Sequence, residues 1–121
     1  MRCDCGRYNS VDPKNQLPCL KLCIHACDLS NPAKPWACYQ RWTGVIMEEF
    51  FAQAQLEMDA GAVKPSLPTR EGCNIPKFQL AFLGFIKPLF ETMDRITNLD
   101  FAEQIVNLTE NIQLLTASVA Q

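Results

Sequence analysis

The sequence contains only one histidine, and this scarcity excludes several kinds of catalytic site. A Ser-His-Asp or Cys-His arrangement would have to use His25, which stands three residues before Asp28 in the middle of a predicted helix. A lone histidine in that setting is more often a packed or capping residue than a catalytic base. The chain therefore offers little for nucleophilic catalysis from its own residues.

Long apolar runs and a strong net charge are also lacking. No stretch approaches the roughly 20 apolar residues that a membrane-spanning helix needs, and the opening MRCDCGRYNS has no apolar signal segment. The formal net charge is −2 at pH 7, so electrostatics gives no reason to expect nucleic acid as a partner. We expect an intracellular, cytoplasmic protein without a membrane span.

Cysteine, by contrast, is abundant, with seven residues in a chain of 121. Cys19, Cys23 and Cys27 recur at a spacing of four, which predicts that they share one face of a helix. The simplest interpretation is that they are reduced thiols that pack as small apolar side chains. A cysteine-rich metal-binding protein is the weaker alternative, because no histidine or further thiol stands at metal-ligand spacing.

The periodicity of apolar residues predicts an all-α fold of about four helices. The polar residues 1–16 suggest a loose lead-in, and the first helix should begin at Pro18 and end before Pro32. Gly61 is the expected stop of a long central helix with two apolar faces, and Pro88 should break or kink the third helix. The helices are expected at residues 18–28, 34–60, from 77 past 88, and 100–117.

Two polar residues stand out in apolar surroundings. Asp28 closes a helix, where a carboxylate opposes the helix dipole unless a cation compensates it. Gln79 stands three residues before Phe82, and an amide and an aromatic ring at this spacing can bond the edge of a planar heterocycle and stack on its face. On the residue pattern alone, the favoured alternatives are a carboxylate bonded to backbone and a core glutamine bonded to a neighbouring helix.

The segments HACDLSNPAKPW, YQRWTGVIMEEFFAQ and QLAFLGFIKPLFET, in this order and spacing, resemble the class I cyclic-nucleotide phosphodiesterases. The resemblance identifies residues 17–121 as a partial catalytic domain and leaves residues 1–16 unmatched. It implies an all-α helical bundle fragment from the C-terminal part of that domain. It also implies hydrolysis of cAMP or cGMP to the 5′-monophosphate by two metal ions, zinc with magnesium or manganese.

The resemblance further implies roles for individual residues. Asp28 matches an aspartate that ligates the zinc, Gln79 the glutamine that bonds the purine edge, and Phe82 the ring that stacks on the purine. Ile46 matches the aliphatic residue on the opposite side of the base. The other matched positions line the nucleotide pocket or its rim: Asn31, Tyr39, Trp42 and Leu67.

Several family residues have no counterpart in this sequence. The family's other metal ligands lie in His-x-x-x-His and His-Asp motifs upstream, its general acid is a further histidine, and His25 falls at none of these positions. We therefore expect a truncated catalytic domain that is inactive and holds no metal alone; the alternative is a helical interaction or dimerisation module derived from the family. Without the upstream helices, we expect self-association through partly exposed apolar residues, namely Trp42, Met47, Phe50 and Phe51.

Smaller departures concern the shape of the base pocket. Phe78 stands where the family tends to have serine, Ala81 replaces glycine, Gly84 replaces aspartate, and Thr69-Arg70 replaces Cys-Asp. A glutamine can present its amide either way round, so position 79 does not by itself separate adenine from guanine.

Overall fold

The computed structural model describes residues 12–97 and 99–120 of the chain. Within these ranges every regular element is helical, so the all-α prediction of about four helices is confirmed. No helix of this part of the chain has the length and apolar character needed to span a membrane. The elements are α1 (Pro13–Asp28), a 3-10 turn (Asn31–Ala33), α2 (Trp36–Asp59), α3 (Ile75–Ile96) and α4 (Ala102–Val119).

Helix α1 begins earlier than its apolar pattern indicates. The carboxylate of Asp12 accepts a hydrogen bond from the Lys14 backbone N–H at 2.9 Å, and Pro13 takes the first helical position, where no N–H is required. The predicted loose lead-in is therefore wrong for residues 13–16, and Pro18 lies inside the helix. Residues 1–11 of that lead-in lie outside the described residues.

Helix α2 ends where its glycine predicts. Gly61 has a φ of 96°, a left-handed conformation that glycine adopts without steric cost. Its N–H bonds the Met58 carbonyl at 2.9 Å, and the Ala62 N–H bonds the Glu57 carbonyl at 2.9 Å. These two bonds form a Schellman motif, which satisfies carbonyl groups at the end of the helix and turns the chain into the loop of residues 60–74.

Helix α3 runs without interruption through Pro88, so the helix does not break there, and the predicted alternative of a kink stays a prediction. The Asn74 side chain caps the helix by accepting from the Lys77 N–H at 3.0 Å. The bond that Pro88 cannot make would have gone to the carbonyl of Gly84. Both residues are exposed, which leaves that carbonyl on the solvent side of the helix.

The main core lies between α3 and α4, and α1 and the turn pack around it. The Phe90 ring meets Phe101 edge to face, with the ring centroids 5.8 Å apart. This arrangement covers the inner faces of both helices and fixes the turn between α1 and α2 against α4. The buried apolar side chains of this core include Ala26, Tyr39, Leu83, Ile86, Phe90, Met93, Leu108 and Leu115.

Candidate functional site

The carboxamide of Gln79 lies at the contact between α3 and α2. Asn74 and the proline after Ile75 start α3 so that Gln79 points inward, and the residue is only 4% exposed. The Tyr39 hydroxyl donates to Oε1 at 2.5 Å, while Nε2 contacts the Met47 sulfur at 3.6 Å. Gln79 is therefore bonded to a neighbouring helix, as the alternative from the residue pattern anticipated, and its orientation is fixed.

Tyr39 is the hydrogen-bond partner of the Gln79 oxygen. Its side chain is buried, and burial raises the pKa of Tyr39 to about 12, against a smaller opposing effect of the Thr43 hydroxyl. The phenol is therefore protonated at neutral pH and can donate to the Gln79 oxygen, while the NH₂ end of the amide faces Met47. A thioether is a weak acceptor, so among the described residues the N–H donors of Gln79 make only this weak contact.

Apolar residues stand close to Gln79 along α3 and next to its partner Met47 along α2. Phe82 is half-buried one turn further along α3 and packs against the core, and Ile46 is half-buried next to Met47 on α2. Phe78 meets Phe50 edge to face, with centroids 6.1 Å apart and an interplanar angle of 83°. The aromatic residue at position 78, where the resemblance leads one to expect serine, thus helps to join α3 to α2.

The other predicted pocket residues are more peripheral. Trp42 is 46% exposed on α2, and Leu67 is half-buried in the loop that follows this helix. Asn31 is half-buried in the 3-10 turn, which packs against α2 and α4. Of the predicted pocket residues, Gln79 of α3 and Tyr39 of α2 are thus the two that a hydrogen bond joins directly.

The expectation of an exposed apolar face is only partly correct. Trp42 and Phe50 are partly exposed, but Met47 is 1% and Phe51 7% exposed. Gln79 contacts Met47, and the Arg70 guanidinium lies 4.9 Å from the centre of the Phe51 ring. The prediction is therefore wrong for Met47 and Phe51, because the loop and α3 cover this part of α2.

Asp28 is the last residue of α1, and its side chain is exposed. Within residues 12–97 and 99–120, no three His, Cys, Asp or Glu side chains converge in a way that would hold a metal. Zinc in proteins needs three or four protein ligands. The donor set around Asp28 in the described residues therefore does not fit a zinc site by itself.

The three regularly spaced cysteines of α1 are free thiols. Burial raises the pKa of Cys23, and the neighbouring Cys19 and Cys27 thiols add to this effect. A raised pKa keeps the thiol protonated, whereas a metal binds the thiolate. Cys19 and Cys23 are half-buried, which agrees with packing side chains, but Cys27 is exposed, so the packing prediction is wrong for Cys27.

Two asparagines of α4, which the sequence reasoning missed, hold the turn that follows Asp28. The Asn111 Nδ2 donates to the Pro32 and Lys34 carbonyls at 2.8 and 2.9 Å, and the Asn107 Nδ2 donates to the Ala33 carbonyl at 3.0 Å. The sequence signal that could have revealed them is their spacing, since Asn107 and Asn111 stand four residues apart among the apolar residues of α4. Buried amides at this spacing need partners outside their own helix.

Comparisons with known proteins point to one family, the cyclic-nucleotide phosphodiesterases. The family model described as 3′5′-cyclic nucleotide phosphodiesterase matches residues 6–108, a range that begins inside the predicted lead-in. A Caenorhabditis elegans protein named probable 3′,5′-cyclic phosphodiesterase pde-1 is 42% identical over 73 residues, which are 60% of this chain and 11% of the relative.

Longer alignments come from proteins named for cyclic AMP. A Drosophila melanogaster 3′,5′-cyclic-AMP phosphodiesterase (isoform F) is 35% identical over 98 residues, 80% of this chain and 15% of the relative. The rat 3′,5′-cyclic-AMP phosphodiesterase 4C is 34% identical over 98 residues, 80% of this chain and 18% of the relative. The chain thus spans less than a fifth of the length of these relatives. With most of its residues matched by the family model, the chain belongs to the 3′,5′-cyclic-nucleotide phosphodiesterase family.

Proposed function

We propose that this chain is part of the catalytic domain of a metal-dependent 3′,5′-cyclic-nucleotide phosphodiesterase and supplies the side of the site that recognises the purine. The observation that carries this proposal is the fixed amide of Gln79. Tyr39 holds its oxygen at 2.5 Å, and its N–H donors face only a sulfur atom. An acceptor on a purine edge is a stronger partner for those donors than a thioether.

The surrounding side chains suit a planar base. Phe82 stands one helical turn from Gln79, and Ile46 lies on the neighbouring helix beside Met47. We assign Phe82 and Ile46 to the two faces of the purine and Gln79 to its edge. Asn31, Tyr39, Trp42 and Leu67 would line the remainder of the pocket, with Tyr39 acting through Gln79.

The hydrolytic chemistry needs groups beyond the described residues. In the complete domain, Asp28 would be one ligand of a zinc ion paired with magnesium or manganese, and these metals would supply Lewis-acid activation for the hydrolysis. Because a single carboxylate does not hold zinc, we expect the 121-residue chain to be inactive alone.

We also propose a cytoplasmic location. The names of two aligned relatives favour cAMP, with cGMP as the alternative substrate.

A non-enzymatic interaction module derived from the same family is the second candidate, and the exposed face of α1 favours it. Three apolar residues on this helix, spaced three and four residues apart, are 60%, 60% and 70% exposed. Apolar side chains at such spacing form one stripe, which suits self-association or a partner helix. These residues are Leu17, Leu20 and Ile24.

A calorimetric titration with cAMP and with AMP tests the purine site. The decisive variant is Gln79→Glu, which keeps an acceptor for Tyr39 but removes the N–H donors, and Gln113→Glu at an exposed position of α4 is the matched control. We expect about tenfold weaker binding for the first variant, which is the value of one hydrogen bond, and no change for the control. Equal affinity of the wild-type chain and Gln79→Glu would contradict the assignment.

Turnover assays and transcript mapping separate the enzyme from the interaction module. We expect no hydrolysis of cAMP or cGMP by the isolated chain with zinc and magnesium present, and no stoichiometric bound metal. We also expect the transcript to continue upstream into His-x-x-x-His and His-Asp motifs. A transcript without these motifs would favour the interaction module, and turnover by the isolated chain would show that another metal site exists.

A further inference from the structure

Helix α4 holds the turn after Asp28 through three successive backbone carbonyls. Asn111 donates to the carbonyls of Pro32 and Lys34, and Asn107 donates to the intervening carbonyl of Ala33, all within 3.0 Å. Asn111 is only 1% exposed. We refer to these three hydrogen bonds as the amide clasp.

The orientation of Asn111 is determined by its partners. Both are carbonyl oxygens, which accept hydrogen bonds, so only the NH₂ end of the amide can face them. The Asn111 Oδ1 is buried and has no partner among the described residues. An unpaired buried oxygen is unfavourable. The Asn111 amide therefore satisfies two backbone carbonyls of the turn, while its own oxygen stays without a partner among the described residues.

The turn depends on external donors because of its sequence. Pro32 and Pro35 have no backbone N–H, which leaves few donors in this segment. The internal bonds of the turn are those from the Ala33 N–H to Ser30 at 3.0 Å and from the Lys34 N–H to Asn31 at 3.3 Å. The clasp supplies the buried carbonyls with the partners that the turn itself cannot provide.

We infer that Asn107 and Asn111 are positioning residues for the nucleotide site, an inference that rests on the proposed function. The clasp holds the carbonyls of the turn that contains Asn31, and so it sets where the Asn31 side chain lies relative to α4. Asn111 lies beyond residue 108, where the family match ends. Helix α4 is thereby part of the site although none of its side chains is assigned to the ligand.

Hydrogen exchange of individual amides, followed by NMR on the full chain, tests this inference. The variants are Asn111→Leu, which removes the donor at similar size, and the milder Asn107→Ala at a half-buried position. Leu115→Ala is the matched control, because it weakens the same helix from the buried core and leaves the three hydrogen bonds of the clasp in place. Global stability is measured on each variant by urea unfolding, so that local and global effects can be separated.

We expect the Ala33 and Lys34 amides to exchange at least tenfold faster in Asn111→Leu than in the control after correction for global stability. Asn107→Ala should show a smaller increase and decides the question if Asn111→Leu does not fold. Equal exchange of these two amides in the clasp variants and the control would overturn the inference.

Titration with AMP gives the second readout, which a purely structural role would not change. If α4 positions Asn31, the clasp variants bind AMP at least threefold more weakly than Leu115→Ala does. Normal AMP affinity in a variant with fast turn exchange would overturn the positioning role. If the wild-type chain binds no AMP at all, the proposed function fails separately, and the exchange data decide whether α4 fixes the turn.

Discussion

The 3-10 turn at residues 31–33 and the loop at residues 60–74 both carry predicted pocket residues, but they are held by different interactions. The turn is anchored by amides of α4, one of them fully buried. The loop is anchored at its surface, where Arg70 forms a bidentate pair with Glu48 at 2.8 and 2.5 Å and both side chains are 63% exposed.

A second contact of the loop, between Ser66 and Glu57, is also exposed at the surface. Ser66 donates to the Glu57 carboxylate from its backbone N–H at 2.6 Å and from its hydroxyl at 2.7 Å. A hydrogen bond from Gln53 lowers the pKa of Glu57, and the two bonds from Ser66 add to this effect. Water competes for exposed groups of this kind but not for buried ones. The comparison indicates that Asn31 is held in place more firmly than Leu67.

The largest expected effect comes from the core that supports the turn. Leu83 is fully buried between α3 and α4, so Leu83→Ala should lower the free energy of unfolding by about 2–5 kcal/mol, as the cavity left by the side chain is only partly refilled. Leu56→Ala makes the same chemical change at a position of α2 that is 64% exposed and should have little effect. Urea unfolding followed by circular dichroism measures both, and similar losses would contradict the position of the core.

An intermediate effect is expected at Tyr39, through pH. Its pKa is raised from 10.0 to about 12 in the folded chain, so the folded state keeps the phenol proton after the unfolded state has lost it. The stabilisation is fully present below pH 10 and is lost between about pH 10 and 12, a total of about 3 kcal/mol from linkage.

The variant Tyr39→Phe isolates this contribution. It has no phenol to titrate, so its unfolding free energy should fall less steeply between pH 10 and 12 than that of the wild-type chain. At pH 7 the same variant should be destabilised by about 1–3 kcal/mol, because the buried Gln79 oxygen loses its partner. Parallel pH profiles for the two proteins would contradict the buried Tyr39–Gln79 bond.

The smallest effect is expected at the surface of the loop. The hydrogen bond from Arg70 lowers the pKa of Glu48, so the pair contributes above the ordinary carboxyl range and is lost as the pH falls through the lowered pKa. Since both groups are solvated, Glu48→Gln should leave the midpoint of urea unfolding at pH 7 nearly unchanged. A shift as large as that of Tyr39→Phe would mean that the loop is anchored as firmly as the buried pair.

The sequence was most informative where the signal is local. Apolar periodicity indicated all four helices, and Gly61 marked the end of α2 because only its backbone conformation was needed there. The start of α1 was misplaced because Pro18 was taken as the first helical position, although Asp12 and Pro13 form the cap. Pro88 does not end α3, and the carbonyl of Gly84 that it leaves unbonded lies on an exposed side of the helix, which the local pattern did not specify.

What the sequence by itself determined is the family and the helical pattern, both of which depend on residue order and local backbone preference. The tertiary structure alone decided which polar groups meet: Tyr39 with Gln79 across 40 positions, and Asn111 with Pro32 across 79. It also decided that Met47 and Phe51 are covered while Trp42 is not. Such pairings follow from how helices pack against one another, and the spacing of residues along a single helix does not specify them.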